Sequence, residues 1–493
     1  MFIDNMTSSM VTDRRIRLAI FLFPLVLIAL NLLAIPGYTG DDAYIHFTYA
    51  RNLIEHGTIS YNTSNPTYGS TSLLWVFLCS TGSLLIGDIP LTGRILSGLL
   101  LVASAILLAR YLAKIALLPA RFVWSGILLF LVNAVLFRWM LTGMETGLTL
   151  FVVAFLLNYW APERPIRNAL CTLVAYLVRP EFVLLPIAYA VVAYFDRQQP
   201  RKYNVVQYLL TAAVLFAAWY ACAFLYFGSL LPLTSLKSGS GIDVESFIRI
   251  VKIVGGMYPD LLLILLILII TKNLTLASFR GLPLVERVLL LFSVGVLGMY
   301  LLKGTSMISR YLIIIHPALI LLFLRFFAAK PVQRWLPRVA LFIMIIQTAL
   351  FLVVHYRPIR SFVEGFQKVY ATMGRQIERT SVQDTGAVML ADVGIMGYYS
   401  RRPVIDLAGL TSMHIYESGT GEDRVLLSRY RPQYVVSRLV SPSIDSCTTQ
   451  WKAASRELQT VTVKFHDRIG PLGVLARSDG SFEVYLLKLI YKE

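Results

Sequence analysis

The sequence predicts an α-helical polytopic membrane protein with about eleven transmembrane helices and a small C-terminal extracytoplasmic α/β domain. Three observations predict it. Of 493 residues, 57% are hydrophobic and 15% charged, and the mean hydropathy is +0.67; a water-soluble fold cannot hide that much apolar surface. The apolar residues gather into runs of bilayer-crossing length. After about residue 356 the composition turns soluble.

The elements follow in order. The first apolar run, about 18–36, comes after Arg14, Arg15 and Arg17 and is followed by no small-residue cleavage site, so it reads as an anchor. Further runs lie near 93–117, 122–139, 142–160, 168–178, 181–195, 204–227, 257–272, 284–302, 311–327 and 338–355. The run 72–87 is apolar but short. If it does not span, and if 168–195 is a hairpin turning at Arg179-Pro180, one set of connectors carries Arg14, Arg15, Arg17, Arg121, Arg164, Arg167, Arg197, Arg201, Lys202, Lys272, Arg280, Lys330, Arg334 and Arg338. Basic connectors belong on the cytoplasmic side. That arrangement puts the N-terminus inside and the C-terminus outside. The net charge of +17 is thereby assigned to membrane sidedness, not to nucleic acid.

A membrane domain is thus expected over 1–355, with a long first outer loop at 37–92 carrying amphipathic or re-entrant helices, and an extracytoplasmic α/β domain over 356–493. In the latter, "GAVMLADVGIMGYYSRRPVIDLAGL" (386–410) reads as strand, turn, helix-like segment, strand, with further strands at 433–439 and 482–490. Cys79, Cys171, Cys222 and Cys447 have no spacing that suggests a metal site or a disulfide framework.

The unusual polar groups fall on the outer side: "DDAY" (41–44), "GMETG" (143–147), "RPEF" (179–182), "LPLTSLKSG" (231–239) and "KGTSMISRY" (303–311). Asp41 and Asp42 open a helix whose apolar face is Ile45, Tyr49 and Leu53. Helix capping is one account of the pair; a general base, a metal ligand, or both is the other. Glu145 allows the same two readings, and an acid at the edge of two apolar spans needs a partner. Arg179 and Glu181 sit at the hairpin turn, as an internal salt bridge or a site. Lys237, Lys303 and Arg310 are cations on the face where cations are disfavoured, which suggests an anionic ligand such as a phosphate. His46 lies four residues after Asp42 on one helix face. It and His56 read more readily as solvated than as metal ligands. No Walker loop, dinucleotide fingerprint, H-E-x-x-H or nucleophile elbow is present.

The segment "DDAYIHFTYARNLIEHGTISYN", followed by "PTYGSTSLLW" (66–75), resembles the GT-C superfamily of membrane glycosyltransferases, which use polyprenyl-phosphate sugars. Together with "LTGMETG", "RPEF", "FGSLLPLTSLKSG" and "GYYSRRPVIDLAGL", it looks most like the cell-wall arabinofuranosyltransferase branch. The likeness covers about residues 37–411; the tail departs from that branch in being short and lacking an obvious carbohydrate-binding module. The resemblance implies inverting transfer at the outer face of a bacterial plasma membrane, from a polyprenyl-phosphate sugar donor to a glycan or lipid acceptor. Asp41 or Asp42 would be the general base, with Asp41 preferred. Glu145 would orient the acceptor or help Asp41 and Asp42 hold a divalent cation, Mg or Mn. Lys237, Arg310 and Arg179 would bind the donor phosphate. Substrate contacts would come from Tyr44, Tyr68, Thr71, Trp75, Glu181, Thr234 and Tyr311, and membrane lipids would line the spans. The rival class is a transporter or flippase of a lipid-linked or anionic substrate. Transporters place ionisable groups near mid-bilayer, whereas Arg110, Lys114, Arg138, Glu286 and Arg287 fall near span ends here. A membrane protein with a sensing tail would need no cluster of outer acids and cations.

Overall fold

The structure, a computed structural model, describes residues 14–63, 66–195, 202–236, 244–258, 281–304, 308–328, 334–379, 386–411, 431–439, 455–467 and 478–489. Its helices are α1 (Arg14–Ala34), α2 (Asp41–His56), α3 (Leu73–Ile86), α4 (Ile89–Arg110), α5 (Ala120–Leu131), α6 (Ala134–Trp139), α7 (Thr146–Tyr159), α8 (Pro165–Val178), α9 (Leu184–Phe195), α10 (Lys202–Phe227), α11 (Val244–Met257), α12 (Leu284–Lys303) and α13 (His316–Ala328), then a long helical run α14 (Leu336–Arg379). Among the described residues, four helices are long and apolar enough to cross a membrane: Ile89–Ile115, Asn204–Phe227, Leu284–Lys303 and Leu336–Arg379. Six shorter apolar helices accompany them, including Leu73–Ile86, Pro165–Val178 and Pro180–Phe195. The span expected at 257–272 lies almost wholly outside the described residues.

Two local geometries decide which groups meet. The first is the break at Arg179, whose extended backbone (φ −149, ψ 128) ends α8 before Pro180. The chain reverses there. Tyr208 on α10 hydrogen-bonds Thr172 of α8 at 2.9 Å and packs edge-on against Tyr189 of α9, while Trp160, just before α8, touches both Tyr189 and Tyr208. The start of α8 and the body of α9 therefore share one level, and Arg179 stands at the far end. The second is α3. Trp75 near its start donates to the Gly143 carbonyl at 2.9 Å, and Gly82 near its end packs against Thr92 and Leu96 in the first turns of α4. Both ends of α3 thus lie at the same end of the bundle, so the helix lies across that end.

The soluble-looking tail builds a mixed five-stranded sheet in the order β2-β1-β3-β5-β4, with β1 Val388–Leu390, β2 Val404–Asp406, β3 Tyr434–Leu439, β4 Ser455–Asp467 and β5 Ser478–Leu489. β1 runs parallel to β2 and β3, and the β3–β5 and β5–β4 pairs are antiparallel. β4 has no counterpart among the strands read from sequence. Helix α15 (Val393–Ser400) connects β1 to β2. It does not stand apart from the helices: Val393, Ile395, Met396 and Val404 share one continuous core with Ala43, Phe47 and Tyr49 of α2. The approach needs glycine. A Cβ on Gly394 would fall 2.0 Å from the Asp41 carbonyl oxygen, so no larger residue fits there without separating the two helices.

Candidate active site

Asp41 and Asp42 begin α2, but neither caps it: the N-cap is Gly40 and no side chain bonds the first turn. Each acid faces another part of the chain. Asp41 Oδ1 accepts the Ile395 backbone N–H at 2.8 Å and its Oδ2 the Gly394 N–H at 3.3 Å, both from the first turn of α15. Asp42 Oδ2 accepts from Arg310 Nη2 at 2.6 Å, and its side chain stays 35% exposed. Glu145 likewise precedes α7, and its side chain bonds none of that helix's N–H groups; Ser97 Oγ, from α4, accepts the Gly147 N–H instead. Side-chain capping of its own helix therefore accounts for none of the three acids; the Asp41 carboxylate instead meets the first-turn N–H groups of α15.

The Glu145 carboxylate is turned toward the hairpin. Its Oε1 accepts from Arg179 Nη1 at 2.7 Å. Arg179 also holds Glu181 by two bonds, Nη2 to Oε1 at 2.5 Å and Nε to Oε2 at 3.2 Å, and Tyr300 donates to the same Oε1 at 2.5 Å. Tyr311 joins this group to Asp42. Its ring lies 5.2 Å from the Arg179 guanidinium and 5.0 Å from that of Arg310, the cation–π range. Trp139 covers another side of Arg310, at 5.7 Å. The result is one array, Asp42–Arg310–Tyr311–Arg179–Glu145/Glu181, at the end of the bundle that α3 crosses.

Two polar atoms in the array have no hydrogen-bond partner among the described residues: Glu145 Oε2 and Arg310 Nε. Glu145 Oε2 lies 3.8 Å from His46 Nε2, and His46 Nδ1 is 2.8 Å from Ser70 Oγ. Burial holds the His46 pKa below the ordinary imidazole value, more strongly than the Glu145 charge raises it, so the ring is neutral at pH 7. Asp41 keeps part of its surface open while protein surrounds its carboxyl. That desolvation, then the Asp42 charge, pushes its pKa up to about 7, against the lowering pull of the two α15 N–H bonds.

The other residues singled out from sequence fall around this array. Trp75 is fully buried and supports the loop at Gly143. Tyr44 is buried, with its hydroxyl 3.4 Å from that of Tyr399. Tyr68 stacks on Phe227 at 4.7 Å, and its carbonyl accepts the Leu233 N–H at 2.7 Å, which anchors the "LPLT" segment. Thr234 Oγ1 has no hydrogen-bond partner among the described residues. Thr71 lies partly exposed beside buried Ser70. Lys303 donates to the Ser235 carbonyl at 3.0 Å. Lys237 lies outside the described residues. Among the described residues no group of three or more His, Cys, Asp or Glu side chains is placed to share a metal ion. Asp41, Asp42 and Glu145 are each engaged with a different donor, so they do not fit a shared divalent-cation site in this arrangement. Sequence reading passed over Tyr300 and Trp139, and the donors at Gly394 and Ile395. It set His46 aside as solvated, whereas the structure buries it against Glu145.

The fold is that of the crystal structure of ArnT from Cupriavidus metallidurans bound to undecaprenyl phosphate, with a TM-score of 0.57 over 95% of this chain and 97% of that one, at 15% identity. Residues 359–485 match a family described as a domain of unknown function (DUF8728). No curated protein sequence matches the chain.

Proposed function

We propose that the protein is an inverting glycosyltransferase that moves a sugar from a polyprenyl-phosphate donor to a glycan or lipid acceptor at the outer face of the plasma membrane. The observation that carries the reading is the pairing of unlike acids at one end of a GT-C fold. Asp41 has a pKa of about 7, suited to accepting a proton near neutral pH. Asp42, beside it, holds Arg310, whose Nε has no hydrogen-bond partner among the described residues. In this mechanism Asp41 takes the proton of an acceptor hydroxyl as its oxygen attacks the anomeric carbon. The bond from that carbon to the phosphate oxygen breaks, and the phosphate leaves with the electron pair and one more negative charge. Arg310 meets that charge with a fixed donor, the kind of stabilisation that contributes most when it is preorganised, and Lys237 is proposed as a second cation for it. Arg179 holds Glu145 and Glu181 in place, and Glu145 Oε2, which has no hydrogen-bond partner among the described residues, is the acceptor toward a sugar hydroxyl. The motif order makes a pentofuranosyl donor the first to try.

A flippase of lipid-linked substrates is the rival reading. Purified protein in nanodiscs, offered a panel of polyprenyl-phosphate sugars and glycan acceptors, separates the two. Sugar transfer that is lost in Asp41→Asn supports the transferase. Donor movement between leaflets without any transfer would replace it with the flippase.

A further inference from the structure

The tail is the part of the chain that the proposed chemistry does not yet use, and it touches the site at one place. The first turn of α15 directs the N–H groups of Gly394 and Ile395 at the two oxygens of Asp41, at 3.3 and 2.8 Å. Those N–H groups belong to the opening turn of a helix, where the helix itself supplies no acceptor. The turn is fixed from several sides. Tyr61, in the first loop, donates to the Val393 carbonyl at 2.6 Å. Tyr370 on α14 donates to Asp392, the residue preceding α15, at 3.0 Å. Gly394 and Gly397 allow the contact, since a Cβ on either would lie 2.0 Å from the Asp41 carbonyl oxygen or the Tyr61 hydroxyl respectively.

We propose that the opening turn of α15 is a positioning element for Asp41: the backbone N–H groups of Gly394 and Ile395 fix the orientation of the base and favour its ionised form. This rests on the glycosyltransferase reading for its consequence and on geometry for its existence. It gives the segment matching DUF8728 a role inside the catalytic centre. A carboxylate offers about four lone-pair sites, so one N–H on each oxygen fixes the rotamer and leaves room for an acceptor hydroxyl. The charged groups around Asp41 are Asp42 on its own helix and Asp392 on the tail, both raising its pKa, with Tyr61 alongside. The two N–H bonds oppose them, so their loss moves the base toward its protonated form.

The test removes one N–H. Proline is tolerated in the first turn of a helix, because that N–H has no intrahelical partner. Ile395→Pro therefore deletes the 2.8 Å donor, while Ile395→Ala loses the same buried side chain and keeps the donor. Two readouts are taken on the full chain in detergent. Carbodiimide labelling of Asp41 against pH, read by mass spectrometry, needs no activity. The expected result is a labelling midpoint moved to higher pH in Ile395→Pro and unmoved in Ile395→Ala. Steady-state kinetics with a donor found active should then show kcat reduced about 10- to 100-fold in Ile395→Pro, the scale of a small misplacement of a reacting group, with donor KM held. Thermal unfolding checks folding; if the proline chain does not fold, Gly394→Ala, which pushes the turn off Asp41, carries the same expectation. Equal labelling midpoints in the proline, alanine and wild-type chains overturn the proposal. Shifted labelling in a protein that transfers no sugar would keep the clamp and sink the glycosyltransferase reading.

Discussion

Two buried ion clusters stand near opposite ends of α12, and they are built differently. Near its start, Glu286 receives Arg325 through both Nε and Nη2, at 2.9 and 2.7 Å, and the Tyr111 hydroxyl at 2.7 Å. Every oxygen of that carboxylate is met. Near its end, at roughly 21 Å for fourteen residues of helix, Tyr300 reaches the array around Arg179 and Arg310. There one Glu145 oxygen and one Arg310 nitrogen are unmet among the described residues, and Asp42 is 35% exposed. A carboxylate whose bonds are all made by protein has nothing left for a ligand, whereas unmet buried groups cost free energy that a substrate can recover. The contrast separates a structural ion pair from a site, although both look alike as isolated charges in apolar sequence.

The largest effect that could break this comparison belongs to Asp41. Asp41→Asn should lower turnover about 100- to 10,000-fold, the range for loss of a general base, with folding intact by thermal unfolding; near wild-type turnover would leave the acid with a structural role only. Next come the arginine and glutamate pair. Arg310→Lys keeps the charge but loses the forked geometry, and should cost roughly 10- to 100-fold in kcat/KM, as for loss of a charged hydrogen bond. Glu286→Gln should instead destabilise the fold by about 3 kcal/mol, because it leaves a buried cation unpaired, while the folded fraction turns over normally. Should both substitutions act on the same observable, the two clusters are not different in kind.

A smaller effect concerns pH. The base must be ionised, so kcat/KM should fall as pH drops through about 7, the Asp41 value. The neighbouring Asp42 charge raises that pKa, so Asp42→Asn should move the acid limb to lower pH even as it releases Arg310. A limb that stays put or moves up would mean that a different group titrates. The mildest change is topological. A cysteine at exposed Thr63 should react with an impermeant reagent from outside the cell and one at exposed Glu163 should not, each read against the native thiols. Labelling at Glu163 would invert the two ends of the bundle.

Much of the helical architecture was legible because apolar runs report helices. The hairpin at Arg179-Pro180 was readable from a proline after a short run, and α3 from its length. The placing of Asp42, Glu145, Arg179 and Arg310 on one side was readable from charge. Their pairing was not. Arg310 could have matched any of four acids, Asp41, Asp42, Glu145 or Glu181, and distance along the chain does not rank them. Capping was a reasonable account of Asp41 and Glu145 until Gly40 and Ser97 proved to serve those helix ends. Least visible were the partners of Asp41, because a backbone N–H carries no side-chain identity. Only the glycines in "VGIMG" hinted at a close approach. Tyr300 was hidden for a related reason: a tyrosine within an apolar run is indistinguishable from core until its hydroxyl finds an acceptor.

The contact between Asp41 and the α15 turn spans 353 and 354 positions of chain. A ribosome making about 5–20 residues per second needs roughly 18–70 s to travel that far. During this interval α2 has already emerged, with Asp41 in place and its tail partners not yet made. The order of synthesis thus delays the finished centre to the last quarter of the chain's production. A nascent or prematurely terminated chain can fill the bilayer with helices and still leave Asp41 without its two backbone donors. Maturation, in this view, is a matter of timing: insertion comes first, and the contact at Asp41 arrives with one late turn of helix.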